Sequence, residues 1–327
     1  MAENYGLPYA GSKSRIAHWV IDNLPSGRVL IDAFAGGCSI THRALLSQKW
    51  QTVIANDING KYPQLFADAV QGKYRDERRW ISREDFERLK AKDAFVACCW
   101  SFSNNLRCYT YSRRIEPYKR ALHYAIVFDD FSQMQELMPE VARAITEAIL
   151  GQKKLHDRRI TAQNVIVKTL KRLTGDNYAH SIIQSNTLYQ SIRHNSKKTP
   201  SLHSLQSLQS LQNLERLQSL ERLESLERLR VTSLSYDEID IPDDAVVYCD
   251  PPYHACRGHL YEGTADAFDH CAFYDWCVDV SKTNPIFISE YSIEDDRFEI
   301  VAEKQKLTCL SSVKSFNVTE RLYTVKK

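Results

Sequence analysis

The sequence predicts an α/β protein, a doubly wound and mostly parallel sheet interrupted by an inserted, mainly helical domain. Three observations lead there. A strand, loop, helix, strand run opens the chain, the same texture closes it, and the stretch between is basic and aromatic without a buried-strand pattern. Near the start, residues 28–32 are β-branched and apolar, 33–38 form a small-residue loop, 39–47 read as a helix, and 52–55 as a second buried strand ended by Asn56 and Asp57. A helix over 14–23 precedes them. Near the end, 245–249 and 286–289 read as buried strands around a helix at 265–281, and 298–302 and 322–325 can pair as a closing hairpin. Residues 1–61 and 231–327 are therefore expected to form one domain. Residues 62–200, with helical stretches such as 133–150, form the insert.

Composition narrows the class. With 43% apolar and 26% charged residues over 327 positions, the chain suits a soluble globular protein. No basic cluster followed by an apolar run opens it, and no stretch reaches the roughly 18 uncharged apolar residues of a membrane span. A cytoplasmic protein, monomeric in solution, is expected. Nine cysteines without a Cys-x-x-Cys pair exclude a disulfide scaffold and give no zinc site; they are expected to be reduced, buried and apolar in role, with no metal bound. The net charge of +2 hides a local excess. Residues 151–200 hold ten cations, among them Arg158 and Arg159, against Asp157 and Asp176. Such a block suits a polyanion, or is simply a solvated basic face.

From Leu202 to Leu229 leucine recurs at every third position. In an α-helix each step of three turns the side chain by about −60°, so a long leucine series cannot hold one face. We read residues 201–230 as a low-complexity surface connection, helical or irregular, with a protein-interaction surface as the alternative.

The chemistry is concentrated in short runs. Asp250-Pro251-Pro252-Tyr253 follows a buried strand and so lies at the carboxyl end of a sheet, where doubly wound folds bind ligands. An amino group conjugated to a purine ring is a poor nucleophile. Two acceptors set against its hydrogens, the Asp250 carboxylate and the Pro251 carbonyl, favour pyramidal geometry and free its lone pair to attack a methyl group. Consecutive prolines fix φ and donate no N–H, and Tyr253 offers a flat face to a base rotated out of a duplex. The loop from Asp32 to Ser39 brings Gly36 and Gly37 to a strand-to-helix turn but lacks the phosphate-binding G-x-G-x-x-G pattern. Asp57 ends the next strand, where a nucleotide-fold acid accepts ribose hydroxyls. A nucleoside without a diphosphate points to S-adenosylmethionine. Pro8 to Lys13 precedes the first helix, and the run from Phe287 to Tyr291 ends a strand that could line the base pocket.

Taken in this order the motifs resemble the Dam-type DNA adenine methylases. In that class the cofactor motifs come first, the recognition domain lies in the middle and Asp-Pro-Pro-Tyr comes last. The runs from Trp100 to Asn105 and from Ile115 to Lys119 are similar to the recognition region of its compact phage and prophage members. The resemblance implies a Rossmann-like methyltransferase fold, S-adenosylmethionine as cofactor, double-stranded DNA as partner, and a bacterial host or prophage setting, with or without a restriction enzyme alongside. It further implies cofactor contacts from Tyr9, Lys13, Asp32, Phe34, Ala35, Gly36, Gly37, Asp57, Tyr236, Asp237 and Asp250. Asp250, Pro251, Pro252 and Tyr253 would hold the adenine, and Arg107, Arg113, Arg114 and Lys119 could reach guanines or phosphates.

Two departures stand out. Cys38 occupies the place of a usual third glycine. Before Asp250 the segment reads Ser235-Tyr236-Asp237, so that either Asp237 replaces the family's acidic cofactor contact through a register shift or the contact is lost. Methylation of the cytosine amino group uses the same chemistry, and Asp250 in the first motif position favours adenine. A catalytically silent DNA-binding protein on the same fold is the alternative from another class.

Overall fold

The structure, a computed structural model, describes residues 4–174, 207–223, 226–253, 268–311 and 314–327. It comprises two compact units, Met1–Arg75 with Leu217–Lys327, and Asp76–Arg216. The boundaries differ from the expected ones because helix α3 (Lys61–Val70) and the leucines from Leu217 onward pack into the first unit.

The first unit is built on seven strands: β1 (Gly27–Asp32), β2 (Trp50–Asn56), β3 (Leu229–Thr232), β4 (Val246–Cys249), β5 (Ile286–Glu290), β6 (Phe298–Ser311) and β7 (Lys314–Val325). Their order across the sheet is β3-β2-β1-β4-β5-β7-β6. The first five run parallel to one another, and β7 runs antiparallel between β5 and β6. Every residue of β4 and β5 is buried, the pattern of strands covered on both faces. Val29, Ile31, Val247, Ile286 and Ile288 meet Phe273 and Cys277 of helix α11 (His270–Val280) in one core cluster. The closing hairpin is longer than the apolar runs that announced it, because polar side chains continue both strands beyond the part paired with β5.

Helices α1 (Ala17–Asn23) and α2 (Ser39–Ser47) complete the described start of the first unit. The second unit is helical: α4 (Arg83–Leu89), α5 (Ala94–Trp100), α6 (Glu116–Phe128), α7 (Ser132–Leu137), α8 (Pro139–Ile149) and α9 (Leu155–Thr174). The continuous helix expected over 133–150 is broken into α7 and α8, since Pro139 cannot supply an interior N–H and takes the first position of a new helix instead. Five of the described cysteines are buried, but Cys108 and Cys271 are exposed, so the expectation of uniformly buried thiols fails at these two.

The leucine tract overturns the surface-connection reading. Leu208, Leu211, Leu214, Leu217, Leu220, Leu223 and Leu229 are all buried. Helix α10 (Gln209–Ser219) is short enough that its leucines span an arc of only about 120°, an ordinary core stripe. The chain then tightens into a 3₁₀ turn, Leu220–Arg222, whose three residues per turn match the period of the repeat. The drift that forbids a long leucine face never accumulates. Polar positions are used too: within the second unit Asn213 donates to the Cys99 carbonyl at 3.1 Å, and Glu215 receives two bonds from Arg159, at 2.5 and 2.9 Å.

Leu217→Ala is therefore expected to destabilise the first unit by about 2–5 kcal/mol, the cost of a large-to-small change in a packed core. Leu150→Ala, at a position 81% exposed, should stay within about 0.5 kcal/mol. Urea unfolding of both variants measures the difference.

Candidate active site

Strand order reverses between β1 and β4: β2 and β3 extend outward from β1, and β5, β7 and β6 from β4. Ligands of doubly wound folds bind beyond the carboxyl ends of strands at such a point. Asp32 pairs with Tyr248, and Ala33 N–H donates to the Tyr248 carbonyl at 2.9 Å. The loop after β1 and the turn that begins at Asp250 thus leave one edge side by side. Tyr248 is held in the core by its hydroxyl, which donates to Ser289 Oγ of β5 at 2.8 Å.

At this edge a lysine stands between carboxylates. Lys13, in the 3₁₀ turn Lys13–Arg15, places Nζ 2.7 Å from Asp250 Oδ1 and 3.5 Å from Glu320 Oε1. It also donates to the Tyr253 hydroxyl, lies 4.3 Å from that ring's centroid, and is only 8% exposed. The Tyr253 hydroxyl in turn donates to Glu320. Burial, then the charges of Asp250 and Glu320, push the phenol well above its usual range, so that it stays protonated and a donor. The Tyr253 ring meets Tyr291 edge-on at 4.6 Å, and Arg321 holds the Tyr291 carbonyl. Pro251 is buried, and the two prolines leave the turn without N–H donors at these positions.

Glu320 is absent from the motif-based expectation. Its signal is faint: in the β-prone run from Val318 to Val325 it shares a strand face with Leu322, which makes it a carboxylate at an inward position.

The glycine loop is fastened on two sides. Gly36 N–H donates to Asp57 Oδ2 at 2.8 Å, and Asn59 N–H donates to Oδ1 at 2.8 Å, which makes Asp57 the clasp between the loop and the end of β2. Burial raises the Asp57 carboxyl from its ordinary value. A Cβ on Gly37 would lie 2.6 Å from Cβ of Tyr9, so Tyr9 rests directly on glycine backbone. Ala35 is buried, its N–H bound to the Asn56 carbonyl at 2.8 Å. Cys38 caps α2 in the left-handed region at φ 57°, ψ 34°, which explains why a glycine suits this place: a side chain there costs roughly 1–2 kcal/mol.

Asp32 departs from its expected cofactor contact. It is buried, and its Oδ2 accepts from Thr41 N–H at 3.1 Å and Thr41 Oγ1 at 2.7 Å. Burial foremost pushes its carboxyl up to about 7. Its place is under the loop, anchoring the first turn of α2.

Phe34 opens an aromatic cluster. Its ring stacks on Tyr236 at 5.7 Å and meets Phe273 edge-on at 5.6 Å, while Tyr236 meets Trp276 at 5.1 Å. Asp237 is exposed, beside the Ser235–Glu238 capping box. Tyr236, rather than Asp237, thus joins the rings next to the loop.

The expected DNA contacts lie in the second unit. Arg113 is exposed, and Arg107 and Arg114 are half-buried. Arg107 belongs to a loop closed by the Ser101–Tyr109 bridge, which leaves Phe102 exposed. Lys119 does not fit a DNA contact: it is 2% exposed and donates to the Ser207 carbonyl. Two cations of the basic block are likewise spent internally. Arg158 binds Asp129 and the Ile126 carbonyl, at 2.5 and 2.6 Å, and Arg159 binds Glu215. Arg193, Lys197 and Lys198 lie outside the described residues.

A family model described as D12 class N6 adenine-specific DNA methyltransferase matches residues 9–294. The match takes in the glycine loop, Asp57, the second unit and Asp250 to Tyr253, and stops before the closing hairpin. No curated protein matches the chain.

Burial lowers the Lys119 ammonium from its ordinary 10.5 to about 7. Above that pH the folded chain holds the amine neutral while the unfolded chain keeps its proton up to about 10.4. The unfolded state then binds more protons, and this residue's contribution to stability rises with pH across that window. The melting temperature of the native protein should therefore climb relative to Lys119→Met from about pH 7 to about 9.5; parallel curves would refute it.

Proposed function

Because the chain belongs to the D12 class N6 adenine-specific DNA methyltransferases, we propose that its switch-point edge is the methyl-transfer site. The enzyme methylates the amino group of adenine in DNA, with S-adenosylmethionine as the donor that the family implies. The observation that carries the site is the adjacency of the glycine loop after β1 and the Asp250 turn after β4.

The residues fit that donor. The loop presents glycine backbone with no room for a Cβ at Gly37, is clasped by the Asp57 carboxylate, lacks the phosphate-binding glycine pattern, and adjoins the Phe34–Tyr236 stack. In this proposal Tyr9, Phe34, Gly36, Gly37, Asp57 and Tyr236 hold the cofactor, with Lys13 and Asp250 at its reacting end. S-adenosylmethionine supplies an electrophilic methyl group on a cationic sulfur. The chain's own part is to orient the base. The Asp250 carboxylate and the Pro251 carbonyl accept the two amino hydrogens of a flipped adenine, Tyr253 stacks on its ring, and the lone pair is aimed for direct in-line attack without a covalent enzyme intermediate.

The second unit is proposed to read the DNA, with Arg107 and Arg113 as its phosphate or base contacts. Lys119 and Asp32 are assigned structural tasks instead.

Asp250→Ala should abolish transfer of tritiated methyl groups to duplex DNA while calorimetry finds cofactor affinity within about tenfold, roughly 1.4 kcal/mol. Unchanged turnover in that variant would remove Asp250 from the mechanism. Arg113→Ala should weaken DNA binding and lower the slope of log affinity against log salt by about 1, read by anisotropy at several salt concentrations. An unaltered slope would exclude a phosphate contact.

A further inference from the structure

Glu320 lies beyond Glu294, where the family match ends, yet its carboxylate reaches the centre of the site. It is 0% exposed, and a carboxylate fully removed from water is strongly disfavoured unless charges and donors meet it. What meets it here is the site itself: the Lys13 ammonium at 3.5 Å and the Tyr253 hydroxyl. An ammonium has three protons to place, and around Lys13 stand Asp250, the Tyr253 oxygen and Glu320. The next residue of β7, Arg321, grips the Tyr291 carbonyl, and the Tyr291 ring packs edge-on against Tyr253. The closing hairpin therefore holds the motif tyrosine directly by its hydroxyl, and steadies Tyr291, on which its ring packs, through Arg321.

We propose that Glu320 is a positioning residue for methyl transfer, which fixes the turn from Asp250 to Tyr253 through the Tyr253 hydroxyl and the Lys13 ammonium. It touches neither base nor methyl group. The proposal rests on the function assigned above, and it makes the hairpin part of the active site rather than an edge that only completes the sheet. Removing the charge takes the carboxylate acceptor from the Tyr253 hydroxyl and leaves Lys13 with Asp250 and the Tyr253 oxygen but without its second carboxylate. The base platform and the acceptor carboxylate then lose their common anchor, which affects turnover more than binding.

The test is a double-mutant cycle of Glu320→Gln and Tyr253→Phe, with kcat and KM measured on duplex DNA and cofactor Kd by calorimetry. Glu320→Gln is expected to lower kcat by about 10–100-fold with cofactor Kd within about threefold, and the double variant to be no more than about threefold worse than the poorer single variant. A kcat within about twofold of wild type, or losses that multiply in the double variant, would overturn the proposal. So would a lowered melting temperature with kcat per active site unchanged. Should Glu320→Gln not fold, Glu320→Asp takes its place in the cycle. Wild-type protein that binds cofactor but methylates no adenine would defeat the function instead. In that case ¹³Cε-lysine NMR decides: the Lys13 signal, identified by its loss in Lys13→Arg, must move in Glu320→Gln, and an unmoved signal overturns the contact.

Discussion

One ammonium group draws together three distant parts of the chain. Lys13 comes from the first turn, Asp250 from the end of β4 and Glu320 from the closing hairpin, and both carboxylates lie within 3.5 Å of the lysine Nζ. Two carboxylates this close would repel each other in a site of low exposure, and the lysine makes their approach tolerable. The sheet order serves that meeting: β4 and β7 flank β5, so the Asp250 turn and Glu320 arrive at one edge from either side of the same strand. Around it, carboxylates that accept hydrogen bonds position the glycine loop and the first turn of α2, Asp57 from Gly36 N–H and Asp32 from Thr41.

Four of the five parallel strands were legible as mainly apolar runs at 28–32, 52–55, 245–249 and 286–289, most clearly β4 and β5, whose every residue is buried; β3, with Arg230 exposed and Val231 and Thr232 half-buried, was hidden at the end of the leucine tract. The hairpin was legible only in part, since periodicity reports a face that meets a core, and beyond its pairing with β5 it has none to report. The break at Pro139 and the domain edges escaped for different reasons. Amphipathic spacing continues across a proline, and composition changes at α3 although its packing does not.

That two runs meet at one sheet edge was legible where a motif compresses several groups together, as at Asp250 to Tyr253 and Phe34 to Cys38. The site was misread where the same residue type serves the scaffold. Asp32 and Lys119 are charged side chains in suggestive neighbourhoods, but a neighbourhood in sequence does not reveal burial. Glu320 shows the converse: an acid far from any motif that long-range strand pairing carries to Tyr253. Cys38 lies between these cases. Its departure from glycine is visible in sequence, whereas its left-handed backbone is visible only in the fold.

The buried leucine tract carries an ambiguity of its own. Slide the chain by one triplet and a leucine still enters every leucine site from Leu208 to Leu223, so the apolar contacts cannot tell one alignment from the next. The residues between them can. At Asn213 a slip would bring Ser210 or Arg216 under the α5 carbonyls, and at Glu215 it would face Arg159 with glutamine. Gln218, which donates to the Tyr74 carbonyl at 3.0 Å, would give way to a carboxylate, an acceptor facing an acceptor. The monotonous leucines provide cohesion without addressing. The address of the segment is written in the few polar letters that do not repeat.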